Sequence, residues 1–536
     1  MRRIFLYGPP GSGKTVVGKI LAENLDANFV DIDSQIELET GMSVAQIITG
    51  NGESVFRDME QAVIERLCEA SNPAGVQQNW LVVALGGGAL LRERNRTLCE
   101  NSGEVIFLEA SFSTLLERLK KEQDQRPLLS GDLETRLSTL LKARKEHYDS
   151  FNMRVVNNTS TNLPSINNKN PKKTPGQISW EVQQKLGCYH VRGMGTDYDV
   201  MVEIGGLSRV GVTLKERGIK GPVALVCDEN VDILYSKQVE KSLSDQNYLV
   251  SKLVIKSGEE NKTLDTVSSL WKGFLAAGLD RKSLVIALGG GVVSDLAGFA
   301  ASTYMRGCPW VAIPTTLLSM VDASLGGKTG FDLPEGKNLV GSFFPPQFVL
   351  SDPDLLNSLP ESELRSGLAE VIKHGIISDP NLFYSCSRGY KAVKDDLGRI
   401  VRQAIGVKAR IITEDPYERG IRAALNLGHT VGHAIELASH FELKHGEAVA
   451  IGLVVEAKLA EKLGLAENHE LTNEIESVLL GIGLPVEIPE GLSHPKIIQA
   501  MRTDKKKDGG VIKFALPAKI GKVIVGVSVS NLEEVL

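Results

Sequence analysis

Gly8-Pro9-Pro10-Gly11-Ser12-Gly13-Lys14-Thr15 is the stretch that decides how the first part of this chain folds. It fits G-x-x-x-x-G-K-[ST] and stands between a short apolar run, IFLYG (4–8), and a helical pattern, the context such a loop requires. Glycines let successive backbone N–H groups face a phosphate, and the start of the following helix favours an anion. In that arrangement Gly11, Ser12, Gly13 and Lys14 cradle ATP, Lys14 reaches the β/γ oxygens, and the Thr15 hydroxyl is placed to ligate Mg²⁺. Outward from the loop, FVDID (29–33), WLVVALG (80–86) and EVIFLEA (104–110) read as further strands, and 113–121 and 133–148 as helices. Strands alternating with helices predict a parallel sheet covered on both faces.

A phosphate loop does not name the acceptor. Asp31-Ile32-Asp33 ends the second strand of this reading, GESVFR carries Arg57, and Gly86-Gly87-Gly88 follow the third strand. Arg126-Pro127-Leu128-Leu129 and Arg144, four residues before Tyr148, complete the set. Singly, each arginine is an ordinary surface ion-pair residue. Jointly, the five features resemble shikimate kinase over residues 1–155. That resemblance implies Asp31 beside Mg²⁺, Asp33 on the acceptor hydroxyls, and Arg57 and Arg144 on its carboxylate. It also implies close substrate approach at Gly86, Gly87 and Gly88, and a mobile lid that brings Arg126 to the transferring phosphate. The physics agrees, since a planar guanidinium suits a carboxylate and phosphoryl transfer needs in-line positioning beside positive charge.

Residues 156–178, VNNTSTNLPSINNKNPKKTPGQI, are rich in Asn, Thr, Ser, Pro and Lys and poor in apolar side chains. They read as a flexible linker that cannot bury enough surface to offset its ordering entropy. Beyond it, VALVCD (223–228), LVSKLVI (249–255), LVIALGG (284–290) and WVAIPTT (310–316) are strand candidates. Past about 352 helical periodicity takes over, in 361–376, 393–413, 426–441 and 446–463. The fold class is α/β throughout. The expected bounds are a kinase-like domain over 1–157, a linker over 158–179, a Rossmann-like α/β domain over 180–348 and a helical metal-binding domain over 349–536.

Two motifs carry the chemistry of the second part. Gly289-Gly290-Gly291 follow an apolar strand and allow close backbone approach to a pyrophosphate, although G-x-G-x-x-G is absent. His429 and His433, at i and i+4, share one helix face, with His445 following and Glu370 earlier. Imidazoles with one carboxylate make a three-ligand site that leaves coordination open for substrate. Spacing alone favours His429 with His433 as ligands. The ordered motifs CDEN (227–230), SGEENK (257–262), GGGVVSDLAGFAA (289–301), YMRG (304–307), PTTLLSMVD (314–322), GGKTG (326–330), GKNLVG (336–341), GLAEVIKHG (367–375), LNLGHTVGHAIE (425–436), KHGEAVAIG (444–452) and DKK (504–506) resemble 3-dehydroquinate synthase from about 185 onward.

That resemblance implies Glu370, His429 and His445 as ligands to Zn²⁺ or Co²⁺, and turns His433 into a phosphate contact beside Lys328 and Asn338. NAD is expected against Asp228, Asn230, Glu259, Lys262, Gly289, Gly290, Gly291, Asp295, Thr315 and Thr316, with Lys337 near both cofactor and substrate. Arg422, with Lys505, is implied for the substrate carboxylate, and Asp322, Lys373, Lys408 and Asn426 surround its hydroxyls and the metal. Arg306 is implied as a contribution from a neighbouring subunit, in a homodimer formed through this half. The implied reaction cyclises 3-deoxy-D-arabino-heptulosonate 7-phosphate with loss of phosphate, NAD being reduced and reoxidised within one turnover. Ser294, Ala323 and Ser358 depart from the family pattern, and none of them is a metal ligand or an acid–base candidate. An iron-dependent polyol dehydrogenase is the enzyme rival, but it has no use for the Lys328, Lys337, Asn338 and Arg422 cluster.

Bulk properties bound the rest. A net charge of −6 provides no general basic field for nucleic acid or anionic lipid, so anionic small molecules must be held by local clusters. None of the six cysteines forms a C-x-x-C pair, which suits reduced thiols in a cytoplasmic protein. No run of 18 apolar residues predicts a membrane span. Cutting the chain near residue 165 is expected to leave both activities.

Overall fold

The structure is a computed structural model that describes residues 2–69, 80–121, 132–157, 173–440, 442–504, 512–529 and 531–536. The chain divides into two compact units, Met1–Leu186 and Gly187–Leu536. Among the described residues no helix is long and apolar enough to cross a membrane.

The first unit is built on five parallel strands, β1 (Arg2–Tyr7), β2 (Asn28–Asp31), β3 (Trp80–Ala84), β4 (Glu104–Glu109) and β5 (Arg154–Val156), in the order β2-β3-β1-β4-β5. β1 and β3 are almost wholly buried, as near-continuous apolar runs in a doubly covered parallel sheet should be. Helix α1 (Lys14–Leu25) follows the phosphate loop. Asp31 caps α2 (Ile32–Thr40) by accepting a hydrogen bond from the Ser34 amide, so Asp33 lies in a first helical turn and not on the strand. Helix α3 (Glu53–Glu69) carries Arg57. The helix expected over 133–148 breaks at Arg144, where Leu133–Ala143 gives way to Lys145–Asp149.

The last part of the linker expected over 158–179 is helical. Pro175–Leu186 forms helix α4. Thr174-Pro175-Gly176-Gln177 is a capping box: Gln177 N donates to Thr174 Oγ1 at 3.2 Å and Thr174 N to Gln177 Oε1 at 2.7 Å, with Pro at the first helical position. Ile178, Ser179, Val182 and Gln183 are buried, α4 packs on α1, and Asn24 Nδ2 donates to Ser179 Oγ at 3.2 Å. The segment thus belongs to the first unit. Residues 158–172 lie outside the described residues.

In the second unit, β6 (Cys188–Val191), β7 (Tyr198–Val202), β8 (Val223–Asp228), β9 (Val250–Ile255), β10 (Leu284–Gly289), β11 (Trp310–Pro314) and β14 (Phe348–Ser351) form one sheet in the order β6-β7-β14-β11-β10-β8-β9. Only the β6–β7 pair is antiparallel. β12 (Lys328–Leu333) and β13 (Gly336–Phe343) make a separate hairpin. Helix α5 (Gly291–Thr303) starts where β10 ends. The helical part holds α6 (Glu361–Ser378), α7 (Leu397–Glu414), α8 (His429–Ala438) and α9 (His445–Lys462). The region expected to be helical to the end also carries the antiparallel hairpin of β15 (Lys513–Lys519) and β16 (Lys522–Ser528). Helices α8 and α9 pack on a cluster that includes Phe514 and Leu516, so the hairpin completes the core behind the histidines.

Candidate functional sites

In the first unit the phosphate loop is closed over itself. Lys14 Nζ donates to the carbonyls of Gly8 at 2.9 Å and Pro9 at 3.1 Å, which holds the ammonium against the loop's own backbone. Gly13 has φ 87, and a Cβ there would stand 2.6 Å from Asn157 Nδ2, so both conformation and space require glycine. Asn157 Nδ2 donates to Ser12 O at 2.7 Å, and Arg118 Nη1 to Gly11 O at 2.9 Å, bracing the loop from outside its own segment. Thr15 Oγ1 donates to Asp31 Oδ2 at 2.6 Å, so the two expected Mg²⁺ neighbours are already adjacent.

The acceptor residues converge beside the glycines that follow β3. A Cβ on Gly86 would meet Glu60 Oε1 at 2.2 Å and Asp33 Oδ1 at 3.5 Å, and one on Gly88 would meet Arg57 Nη2 at 2.9 Å. Arg144 Nη1 and Tyr148 Oη each donate to Gly87 O at 2.8 Å. Asp33, Arg57, Arg144 and Gly86–Gly88 therefore share one neighbourhood, while Arg126 lies outside the described residues. Glu60, absent from the sequence reading, is fully buried and binds Arg57 Nη1 at 2.8 Å. Burial raises its carboxyl above the usual range, and the Arg57 guanidinium opposes that rise. The i,i+3 spacing of Arg57 and Glu60 on α3 is the signal that could have found it.

The second unit holds a cavity of about 640 Å³ lined by Asp295, Asp322, Lys328, Asn338, Lys373, Lys408, Arg422, Asn426, His429, His433 and His445. Glu370 lies beneath it, fully buried on α6, one turn from Lys373, whose Nζ contacts Glu370 Oε2. Glu370 Oε1 is 3.5 Å from His429 Nε2 and 3.4 Å from His445 Nε2, and among the described residues it accepts no hydrogen bond of normal geometry. Three potential ligand atoms thus face one point, and they are of the types that a divalent ion of the Zn²⁺ or Co²⁺ kind takes. Burial and Lys373 hold His429 well below the ordinary histidine value. For His445 burial acts in the same sense, but the carboxylates of Glu370 and Glu436 facing its two nitrogens push it up to about 10. Glu436 Oε2 lies 3.4 Å from His445 Nδ1, the position of a partner that orients a ligating imidazole.

Several expected substrate contacts are engaged with one another. Lys328 Nζ pairs with Glu418 Oε2 at 2.8 Å, and Asn426 Nδ2 donates to Glu418 Oε1 at 2.9 Å. Lys408 Nζ donates to Asp322 O at 2.8 Å and pairs with its carboxylate. Arg422 is buried, and Nη1 donates to Pro416 O. Glu418 is a further residue that sequence reasoning missed. Arg306 is not among the cavity's lining residues; it stands with φ 67 in the Tyr304–Arg306 turn. Lys505 lies outside the described residues.

The expected dinucleotide residues collect at the carboxyl ends of β8, β10 and β11, the end where open parallel sheets bind ligands. Asp228 ends β8 and accepts from the amides of Asn230 and Val231 at 2.9 and 3.0 Å. Gly289 pairs with Pro314 across β10 and β11, next to Thr315 and Thr316. Gly290 and Gly291 open α5, where a Cβ would stand 3.3 Å from Thr316 Cγ2 and from Ala323 Cβ respectively, so side chains there would fill the approach. Lys262 Nζ bridges Asp295 Oδ2 and Asn338 Oδ1, each at 2.6 Å, tying the dinucleotide side to the cavity. Lys337 Nζ is 3.6 Å from Glu259 Oε1.

Comparison with known proteins gives matches along most of the chain. Residues 10–171 match the family model for shikimate kinase, 252–366 that for the N-terminal part of 3-dehydroquinate synthase, and 367–507 that for its C-terminal part. A 3-dehydroquinate synthase of Symbiobacterium thermophilum is 42% identical over 335 residues, 62% of this chain and 92% of that protein. One from Pelobacter propionicus is 43% identical over 333 residues, 61% of this chain and 92% of its own length. Among solved structures, 2-epi-5-epi-valiolone synthase from Streptomyces hygroscopicus with NAD⁺ and Zn²⁺ bound is 29% identical. It has a TM-score of 0.59 and matches over 63% of this chain and 95% of that one. A 2-deoxy-scyllo-inosose synthase complexed with carbaglucose-6-phosphate, NAD⁺ and Co²⁺ is 26% identical, also with a TM-score of 0.59, over 65% of this chain and 98% of that one.

Proposed function

We propose, from the premise that this chain belongs to the 3-dehydroquinate synthase family and joins a shikimate kinase domain to it, that it catalyses two reactions. The first unit phosphorylates shikimate with ATP and Mg²⁺. The second cyclises 3-deoxy-D-arabino-heptulosonate 7-phosphate to 3-dehydroquinate and releases phosphate. The observation that carries this reading is the convergence of Glu370, His429 and His445 beside a cavity lined by Lys328, Lys408 and Arg422.

In the kinase unit, Arg57 and Arg144 bind the acceptor carboxylate. Glu60 fixes the Arg57 guanidinium, and Asp33 accepts a hydrogen bond from the acceptor hydroxyl. Lys14 leaves the Gly8 and Pro9 carbonyls for the β/γ oxygens, and Arg126 joins it at the transferring phosphoryl group. In the synthase unit, Lys328, Asn338 and His433 hold the substrate phosphate, and Lys328 leaves Glu418 to do so. Arg422 and Lys505 hold the carboxylate. Asp322, Lys373, Lys408 and Asn426 orient the hydroxyls that face the metal ligands. When bound, NAD supplies reversible hydride acceptance and the divalent ion supplies Lewis acidity, so this reaction consumes no cofactor. The protein's part is orientation and preorganised charge.

A homodimer through the synthase unit belongs to this proposal, with Arg306 reaching a partner's cavity, as does a cytoplasmic location consistent with six free cysteines. The test is a pair of variants in the full chain. Lys14→Ala with Arg57→Ala should abolish shikimate phosphorylation and spare cyclisation, and His429→Ala should do the reverse. Full phosphorylation by the first variant would sink the kinase assignment.

A further inference from the structure

Helix α8 brings His429 and His433 to the cavity, yet its N-terminus has no capping side chain of its own. The N-cap residue is Gly428. It sits at φ 77, and a Cβ there would stand 2.9 Å from Leu453 Cγ and 3.1 Å from Val449 O, so a residue with a capping side chain cannot replace it. Helix α9 crosses close against this turn, since a Cβ on Gly452 would meet Gly428 O at 2.0 Å. One turn further along α9 stands Glu456, fully buried. Its Oε2 accepts the Gly428 amide at 2.6 Å and its Oε1 faces the Val431 amide at 3.4 Å. First-turn amides have no partner within their own helix, and a carboxylate at that end also meets the positive pole of the helix dipole.

We infer that Glu456 is a positioning residue for the metal site: it caps α8 from the neighbouring helix and so fixes His429 against Glu370 and His445. The same helix α9 carries His445 in its first turn, so one element supplies a ligand and holds the helix that supplies another. A cap borrowed from α9 couples the two histidines directly, where an ordinary N-cap side chain would fix α8 alone. The inference rests on the reading of Glu370, His429 and His445 as metal ligands.

The experiment uses the full chain stripped of metal, with Zn²⁺ affinity by calorimetry and the visible absorption of the Co²⁺-loaded protein as readouts. Glu456→Gln keeps the shape and removes the charge. It should weaken Zn²⁺ binding by on the order of tenfold to a hundredfold and alter the Co²⁺ spectrum, with kcat for cyclisation falling more than KM changes. Asp199→Asn is the control, because Asp199, buried on β7, pairs with Arg217 at 2.6 Å and His190 at 2.7 Å, and neither of these is a residue of α8. It should lower the melting temperature and leave the metal readouts unchanged. His429→Ala distinguishes loss of a ligand from loss of the cap. If it binds Zn²⁺ like the parent protein, the ligand reading falls. If it loses the metal while Glu456→Gln keeps parental affinity and spectrum, only the positioning role is overturned. Hydrogen exchange on the unaltered metal-free chain gives a check that needs no variant. The Gly428 and Val431 amides should be protected, and free exchange at both would overturn the inference.

Discussion

A cut within the Asn-rich segment tests where the first unit ends. A fragment 1–165 removes α4, whereas 1–186 retains it. Helix α4 buries Ile178 and Val182 completely against the unit, and burying one such side chain stabilises by about 1.5–3 kcal/mol. Losing both therefore costs about 3–6 kcal/mol, against a total of about 5–15 kcal/mol for an ordinary domain. For a unit of this size, at about 2–4 °C per kcal/mol, that corresponds to a melting temperature lower by roughly 6–24 °C. The loss is felt at the active site, because α4 packs on α1 and Lys14 is the first residue of α1. Fragment 1–186 should melt cooperatively and phosphorylate shikimate with the KM for ATP of the full chain. Fragment 1–165 should melt early, with weakened ATP use. Equal melting temperatures and equal KM values for the two fragments would refute the assignment of α4 to the kinase. They would restore the reading in which a cut near residue 165 is harmless.

Glu60→Gln should raise the KM for shikimate about tenfold with a smaller change in the KM for ATP, because a charge-assisted bond on Arg57 is lost while the phosphate loop is untouched; steady-state kinetics with each substrate varied checks this. Burial, opposed by Lys262, pushes the Asp295 carboxyl up to about 6 from an ordinary value near 3.8. The folded protein then binds this proton more tightly than the unfolded chain does, so the group's contribution to stability falls as pH rises from about 4 to about 6. The fall is at most ~3 kcal/mol. Denaturant titrations across that window should show the slope, and Asp295→Asn should flatten it. Glu418→Gln should lower the KM for the heptulosonate phosphate, since Lys328 no longer has to leave a carboxylate to meet the phosphate; an unchanged or higher KM would count against that competition.

The sequence is most legible where a short motif carries its own backbone demand. Gly8–Thr15 announces a strand, a loop and a helix together, and His429 with His433 announces a helix face. It is least legible where partners are far apart in the chain. Nothing local joins Glu418 to Lys328, 90 residues away, or Glu456 to the Gly428 amide, 28 residues away. The helix after the Asn-rich segment is hard to read for a different reason. The polar composition around it masks Thr174-Pro175-Gly176-Gln177, a four-residue start signal for a helix whose apolar stripe is short. The β15–β16 hairpin is obscured by the helical periodicity of the residues before it, although Ile520-Gly521 marks its turn, with Gly521 at φ 88.

On the proposed function, two separate sites grip anionic sugar-derived acids, one built for ATP and the other for a metal ion beside NAD. The most direct measurement follows both products from one preparation of the full chain, before and after a chelator has stripped tightly held metal, with Mg²⁺ then restored. Cyclisation should be lost and should return only with Zn²⁺ or Co²⁺, while shikimate phosphorylation should recover with Mg²⁺ alone. Cyclisation that survives complete removal of the metal, or that returns with Mg²⁺ alone, would overturn the assignment of Glu370, His429 and His445 as metal ligands.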